Sequence, residues 1–226
     1  LGLAHINHML RGIESERDEQ FVKNIAEKSN LPLYLQRIDV KEIAVQKGLS
    51  IQHAGREARY NFFNSIAAQY YYNKIAVAHN LDDQIETFLL RILKGTGLRG
   101  LTSIPIRRGS IIRPFLYTPR RDIAEYTHEQ AIPFVEDSSN SKTVYERNYL
   151  RKEVLPILKR VNPLYKEKIF FLLRDLTYIN SLFEEKSKLF LKKQQNGRDG
   201  DIFFDIRHLK KIDDETQFRV ISDPII

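Results

Sequence analysis

Residues 74–101, KIAVAHNLDDQIETFLLRILKGTGLRGL, change their hydrophobic period within a few positions, and this constrains the fold more than any other feature. Ile75–Ala78 is a short apolar run with β-branched members, long enough for a buried strand. Behind it Ile85, Phe88, Leu89, Ile92 and Leu93 recur at helical spacing. A strand that turns directly into an amphipathic helix is the unit of open α/β sheets, in which ligands sit at the carboxyl ends of the strands. The turn carries His79, Asn80, Asp82 and Asp83, with Glu86 one helical turn on. Asn80 suits an N-cap, with Asp83 three positions later as a weak capping box. Acidic residues in a first helical turn also suit the helix dipole, so Asp82 and Glu86 alone do not require a ligand. The helix ends in Gly95-Thr96-Gly97-Leu98-Arg99-Gly100, more glycine than one C-cap needs. Such a loop lets backbone N–H groups approach a phosphate or a flat base closely.

The chain around this stretch repeats the same alternation. Leu1–Ile6 reads as a strand whose carboxyl end delivers His5, Asn7 and His8. Ser15 and Asp18 resemble a cap for the helix that follows. Leu33–Ile38 is the next strand, Asp39 opens a short helix that stops at Gly48, and a longer helix runs from about Ser50 to Tyr72. Arg56 and Arg59 lie near the start of that helix, where the dipole disfavours a cation unless something anionic pairs with it. Strand and helix in strict alternation predict an α/β fold with a parallel, doubly wound sheet. After Gly100 the pattern changes. Ile104–Ile106 and Ile111–Ile112 suggest a hairpin, Thr118-Pro119 opens a helix to about Gln130, and Arg147–Leu158 reads as one basic helix. Val161-Asn162-Pro163 is the expected domain boundary, dividing residues 1–162 from a smaller, mainly helical domain over 163–226. That domain's long helix closes at Asn196-Gly197, and Ile202–Asp205 with the last dozen residues begins a second helical unit.

Charge placement adds a partner class. The net charge of +7 divides into 20 basic against 17 acidic residues over 1–150 and 16 against 12 over 151–226. Arg107, Arg108, Arg113, Arg120 and Arg121 fall in one acid-free stretch, and Arg147, Arg151, Lys152, Lys159 and Arg160 form a second cluster. Clusters of this kind are the footprint of a polyanion, although a solvated helix face explains the second equally well. The absence of cysteine excludes disulfides, thiolate metal sites and thiol catalysis within these residues. No run approaches the roughly 18–20 apolar residues of a membrane span, and Leu1–Leu10 does not read as a signal peptide.

Four stretches together resemble one family: His5–Gly12 (HINHMLRG), Arg56–Tyr60 (REARY), Ala78–Thr87 (AHNLDDQIET) followed by Gly95–Leu101 (GTGLRGL), and Glu136–Asn140 (EDSSN) with Arg147–Arg151 (RNYLR). In this order they are similar to tRNA(Ile)-lysidine synthetases, of the ATP pyrophosphatase (PP-loop) group. The resemblance covers about Leu1 to Asn162. It implies an adenine nucleotide alpha hydrolase-like, Rossmann-like catalytic domain followed by a helical one, and a cytoplasmic enzyme. Its implied reaction adenylates the C2 oxygen of the wobble cytidine in a tRNA(Ile) with a CAU anticodon, after which the amine of L-lysine displaces AMP. ATP, Mg²⁺, lysine and tRNA are the implied cofactors and partners, and a homodimer is compatible with it.

Carried onto this sequence, the resemblance makes Asp83 the carboxylate that binds Mg²⁺ or takes a proton from the amine, with His79 beside it. Arg59 and Arg151 become phosphate or carboxylate contacts, while Gly95, Thr96, Gly97, Asn80 and His5 line the nucleotide. Arg107, Arg108, Arg120, Arg121, Arg147 and Lys152 face tRNA. Two departures stand out: Asn80 replaces a second family histidine, and the family's S-G-G-x-D-S phosphate loop is not in these residues. That loop is expected upstream of Leu1, on a strand–loop–helix of roughly 30 residues or more. Without it the residues given are expected not to cradle ATP phosphates. Two rival readings are a tRNA-thiolating adenylator, whose sulfur-carrying or cluster-bearing forms need cysteines, and a non-catalytic RNA-binding module.

Overall fold

The computed structural model describes residues 1–136, 146–192, 195, 196, 202, 203 and 205–222. In chain order the first elements are β1 (Leu3–Asn7), α1 (Ile13–Lys28), β2 (Leu33–Arg37), α2 (Val40–Lys47), α3 (Ile51–Gln69), β3 (Ile75–Ala76), α4 (Leu81–Lys94) and α5 (Leu98–Leu101). They are followed by β4 (Arg107–Arg108), β5 (Ile111–Ile112), α6 (Arg120–Glu129), α7 (Glu146–Tyr149), a π-helical turn (Leu150–Val154) and α8 (Leu155–Val161). The chain then forms α9 (Tyr165–Lys192), β6 (Gln195–Asn196), β7 (Ile202–Phe203), α10 (Ile206–Leu209) and α11 (Asp214–Ser222). These elements form two compact units, Leu1–Asn80 with Ile106–Ser141 and Leu81–Pro105 with Lys142–Ile226.

In the first unit β1 and β2 pair in parallel, from Leu3 opposite Leu33 to Asn7 opposite Arg37. β3 pairs in parallel with β5, which pairs antiparallel with β4. The expected parallel pairing is present, but among the described residues the ladders form two sheets rather than one. Local signals explain the ends of α2 and the start of α3. Asp39 caps α2 by accepting from Lys41 N (2.9 Å) and Glu42 N (3.2 Å), and Gly48 closes it in the left-handed region at φ 63°. Ser50 caps α3 through His53 N at 3.2 Å. The helix stops at Gln69, short of the expected Tyr72, because Tyr71 takes a left-handed φ of 60°. Ser15 is not the cap of α1: the helix already starts at Ile13, and the hydroxyl instead accepts from Arg11 N at 3.2 Å. The hairpin strand expected at Ile104–Ile106 lies at Arg107–Arg108. Val40, Ala44 and Ala54, with Ile38, Ile43 and Leu49 against them, form an apolar core between α2 and α3.

In the second unit Leu81 and Ile85 of α4 pack with Tyr165, surrounded by Leu89, Leu155, Leu158, Ile169 and Phe170. Arg147–Leu158 is not the single α-helix expected. Pro156 has no N–H to offer the carbonyl four residues back and crowds it, which favours the wider π-helical turn over Leu150–Val154. Ile202 and Phe203 pair antiparallel with Gln195 and Asn196 rather than opening a helix, and α10 and α11 follow. α11 is held to α9 by Arg219, which donates to Asn180 Oδ1 at 2.9 Å and lies over the Phe183 ring. Asp137–Asn140 of the EDSSN stretch, and Gly197, lie outside the described residues. Among the described residues no helix is long and apolar enough to cross a membrane.

Candidate active site

The acidic cluster of the second unit sits on the first two turns of α4, where Asp83, Glu86 and Thr87 share one face by their spacing. Arg151, displayed by the π-helical turn, donates through Nε to Glu86 Oε1 at 2.5 Å and through Nη2 to Asp83 Oδ1 at 3.5 Å. Glu86 is only 2% exposed, and its Oε2 is buried without a hydrogen-bond partner among the described residues. Burial pushes the Glu86 carboxyl above the ordinary carboxylate range, while the Arg151 guanidinium pulls it back. Asp82 is paired with the ammonium of Lys166. Arg147 donates to Thr87 Oγ1 at 2.7 Å, and Lys94 pairs with Glu146 at 2.5 Å, so two contacts tie α7 to α4. Arg147 is therefore committed to α4 through Thr87, a partner the basic-cluster reading did not foresee.

The glycine loop leaves the other end of α4. Gly95 takes the left-handed φ of 73° that ends the helix. A Cβ on Gly100 would overlap the Thr96 side chain, so this position requires a close approach. Two α4 residues outside the sequence reading hold the returning chain. Gln84 accepts from Ile104 N at 2.7 Å and donates to Ile104 O at 2.9 Å, and Arg91 donates to the carbonyls of Gly100 and Ser103. Polar side chains seven residues apart on a helix with an apolar stripe were the available signal.

The first unit holds a separate group at the carboxyl end of β1. Arg59 Nη2 donates to His8 Nε2 at 3.3 Å, which requires a neutral imidazole with its proton on Nδ1. Burial, then the neighbouring Arg59 and His5, pulls the His8 value down to about 4. Burial also lowers His5; His5 Nε2 and His8 Nδ1 are buried with no hydrogen-bond partner among the described residues. The strand end is shaped by buried Asn7, which accepts from Met9 N at 2.9 Å and donates to Glu19 at 3.0 Å. Glu19 is gripped by Arg37 at 2.8 and 3.0 Å and by Lys23 at 2.9 Å, and these contacts hold its carboxyl down at about 2. Arg56 lies 4.9 Å from the centre of the Tyr60 ring, which offsets the dipole cost of a cation there without a ligand. His79 and Asn80 follow β3 in this unit and are half-buried. Arg107 and Arg108 on β4, and Arg120 and Arg121 at the start of α6, are exposed; Lys152 is exposed in the second unit.

No three His, Cys, Asp or Glu side chains converge in a metal-holding group among the described residues. At most Asp83, with Glu86 beside it, would meet Mg²⁺. That suits an ion that keeps its waters and takes other ligands from phosphates.

Two acid-sensitive groups of the first unit, Glu19 and His8, give separable pH windows. Glu19 is lowered in the folded state, so its contribution is complete above the ordinary carboxylate range and is lost as the pH falls toward about 2. His8 is also lowered, so the unfolded chain takes up its proton first, and stability falls from the ordinary histidine range down to about pH 4. Urea midpoints measured against pH should lose the lower slope in Glu19→Gln and, with His5 still contributing, part of the upper slope in His8→Gln; unchanged slopes would contradict these assignments.

Residues 1–158 match the model of the PP-loop domain family. The chain belongs to the PP-loop family. Among relatives of this PP-loop chain, a tRNA(Ile)-lysidine synthase of Thermosipho africanus is 36% identical over 203 residues, covering 90% of this chain and 46% of that protein. The synthase of Clostridium tetani is 41% identical over 157 residues (69% and 34% of the two chains), and that of Bacillus subtilis is 37% identical over 201 residues (85% and 43%). The chain spans less than half the length of each of these relatives. A solved structure of the U34-tRNA thiolase NcsA from Methanococcus maripaludis with its [4Fe-4S] cluster aligns with a TM-score of 0.59 at 13% identity, over 77% of this chain and 60% of that one. At that identity the likeness concerns fold alone. The fold is the adenine nucleotide alpha hydrolase-like, Rossmann-like α/β arrangement, with helical segments after it.

Proposed function

We propose that this PP-loop chain carries the nucleotide and amine chemistry of a cytoplasmic tRNA(Ile)-lysidine synthase. Residues 1–162 form its catalytic part and 163–226 a helical follow-on. The observation that carries the reading is the start of α4: Asp83 beside Glu86, whose second oxygen is buried and unpaired among the described residues, with Arg151 across both. A buried, unpaired carboxylate oxygen is costly, and an ammonium donor such as an amine substrate offsets that cost. The relatives' shared name supports lysine as the amine and tRNA(Ile) as the acceptor.

In the reaction the wobble cytidine's C2 oxygen attacks the α-phosphate of ATP and pyrophosphate leaves. The lysine amine then attacks C2, AMP departs with the oxygen, and the amine gives up a proton. Asp83 is placed to take that proton, and Mg²⁺ bound there would neutralise phosphate charge. Arg59 and Arg151 supply fixed cations for anionic groups. His8, neutral at pH 7, holds Arg59 by accepting its N–H. In the second unit Gly95, Thr96 and Gly97 line the nucleotide; in the first, the resemblance assigns His5 and Asn80 to nucleotide contacts and His79 to the amine. Arg107, Arg108, Arg120, Arg121 and Lys152 contact tRNA phosphates. Arg147 acts on RNA only if it exchanges its Thr87 contact.

The full-length protein given ATP, Mg²⁺, lysine and total tRNA is expected to release AMP only when lysine and tRNA are both present. Release that needs tRNA but ignores lysine would replace this reading with another base-adenylating reaction. The name of the thiolase neighbour suggests one such reaction, but these 226 residues contain no cysteine. For the RNA contacts, each alanine at Arg107, Arg108, Arg120 or Arg121 should reduce the slope of log affinity against log salt by about 1. Slopes that stay at the wild-type value would remove these arginines from the tRNA surface.

A further inference from the structure

We propose that Gln84 and Arg91 are positioning residues that preorganise the Gly95–Gly100 loop for an adenine nucleotide; this rests on the reading of that loop as nucleotide-binding. The two side chains stand seven residues apart on α4, and both reach the same returning segment. Gln84 is 2% exposed, and its amide forms a two-way pair with the Ile104 backbone (2.7 and 2.9 Å) plus a longer contact to Thr102 O at 3.4 Å. Arg91 donates to Gly100 O and, at 3.1 Å, to Ser103 O. Gly100 O also accepts from Ser103 N at 3.0 Å, so Arg91 adds a second donor there, while Ser103 O and Ile104 O, just past α5, take theirs from the two side chains. Ser103 turns the chain back with a left-handed φ of 62° and is itself buried.

The loop is thus pinned to α4 at its start by Gly95 and at its return by Gln84 and Arg91. Between those anchors lies Gly97, whose backbone is ordinary and extended (φ −75°, ψ 179°) and whose added Cβ would meet nothing within 4 Å. Neither conformation nor packing within the chain requires glycine there. A bare backbone on a pinned loop is a surface that a flat base or a phosphate can approach closely. The pinning also matters for affinity, because a loop that must be ordered on binding weakens the apparent affinity by the fraction of time it is competent.

The test uses the full-length protein with ATP as the probe. Gln84→Ala and Arg91→Ala are expected to raise the KM for ATP roughly ten-fold with a much smaller change in kcat, and Arg91→Lys, which keeps one donor, should recover part of that loss. Amide exchange over residues 95–104 should quicken in both alanine variants and slow again at saturating ATP. Gly97→Val, which leaves the clamp intact, should raise the KM for ATP without changing the melting temperature, and so tests the loop even if the clamp variants fail to fold. An unchanged KM for ATP in all of these variants, or kcat falling in step with thermal stability, would overturn the proposal. If wild type binds ATP but releases no AMP, the synthase reading fails, while ATP protection of residues 95–104 still decides the clamp.

Discussion

Replacing Asp83 by alanine is expected to lower lysine-dependent AMP release by roughly 100- to 10,000-fold, the range typical of losing a positioned general acid or base. Asp83 is anchored from both sides of its turn: its carboxylate faces Arg151 at 3.5 Å, and its backbone carbonyl accepts from Thr87 Oγ1 at 2.8 Å. The side chain is therefore held in place, and a shorter or neutral replacement cannot swing in to substitute. Asp83→Asn keeps the shape but not the charge. It should be nearly as inactive as the alanine variant if the carboxylate takes the proton or meets Mg²⁺. Affinity for tRNA, measured by filter binding at fixed salt, should change little, because the proposed phosphate contacts lie elsewhere. An Asp83→Asn enzyme that retains most of its AMP release would remove Asp83 from the chemistry.

The second large effect is expected at Arg151. Its guanidinium is the partner of a carboxylate that is almost wholly buried, and deleting it leaves Glu86 without a cation. Removing one member of a buried pair typically costs about 3–5 kcal/mol, whereas replacing both members with apolar side chains costs far less. Arg151→Ala should therefore lose about 3 kcal/mol in urea denaturation, and Arg151→Ala with Glu86→Leu should regain most of it. Neither variant should release AMP at the wild-type rate, which separates the structural share of Arg151 from its catalytic share.

The pH dependence has a defined sign. Glu86 is raised in the folded protein, so its contribution is fully present below the ordinary carboxylate range and is lost as pH rises through the folded value. Without Arg151 the upward push is stronger. The Arg151→Ala variant should therefore be most stable in mild acid, where Glu86 is protonated. A stability profile parallel to wild type would show that Glu86 finds another partner.

Much of this was legible in the residues. The change of period at residues 74–94 placed β3 and α4, because a buried strand and an amphipathic helix leave different repeats in the apolar positions. Asp39, Gly48 and Ser50 gave helix ends to within a residue, because capping is a contact between near neighbours. The acidic turn of α4 and the glycine loop were visible for the same reason: the groups concerned are adjacent in the chain. Longer-range arrangements were less accessible. Nothing in the spacing of Arg151 says that Pro156 widens the turn carrying it, or that 65 positions upstream Glu86 is buried beneath it.

Arg147 belongs by spacing to a basic cluster, yet it donates to Thr87, and nothing local marks Gln84 as the partner of the Ile104 backbone. The sequence by itself determined the α/β alternation, the caps of α2 and α3, the family and the chemical character of the α4 turn. These follow from periodicity and from interactions spanning three or four residues. Only the tertiary structure decided which carboxylate meets which guanidinium, that Glu86 keeps one buried oxygen unpaired, and what pins the glycine loop. Burial and pairing depend on segments that meet after long excursions of the chain, and local propensity carries no record of those meetings.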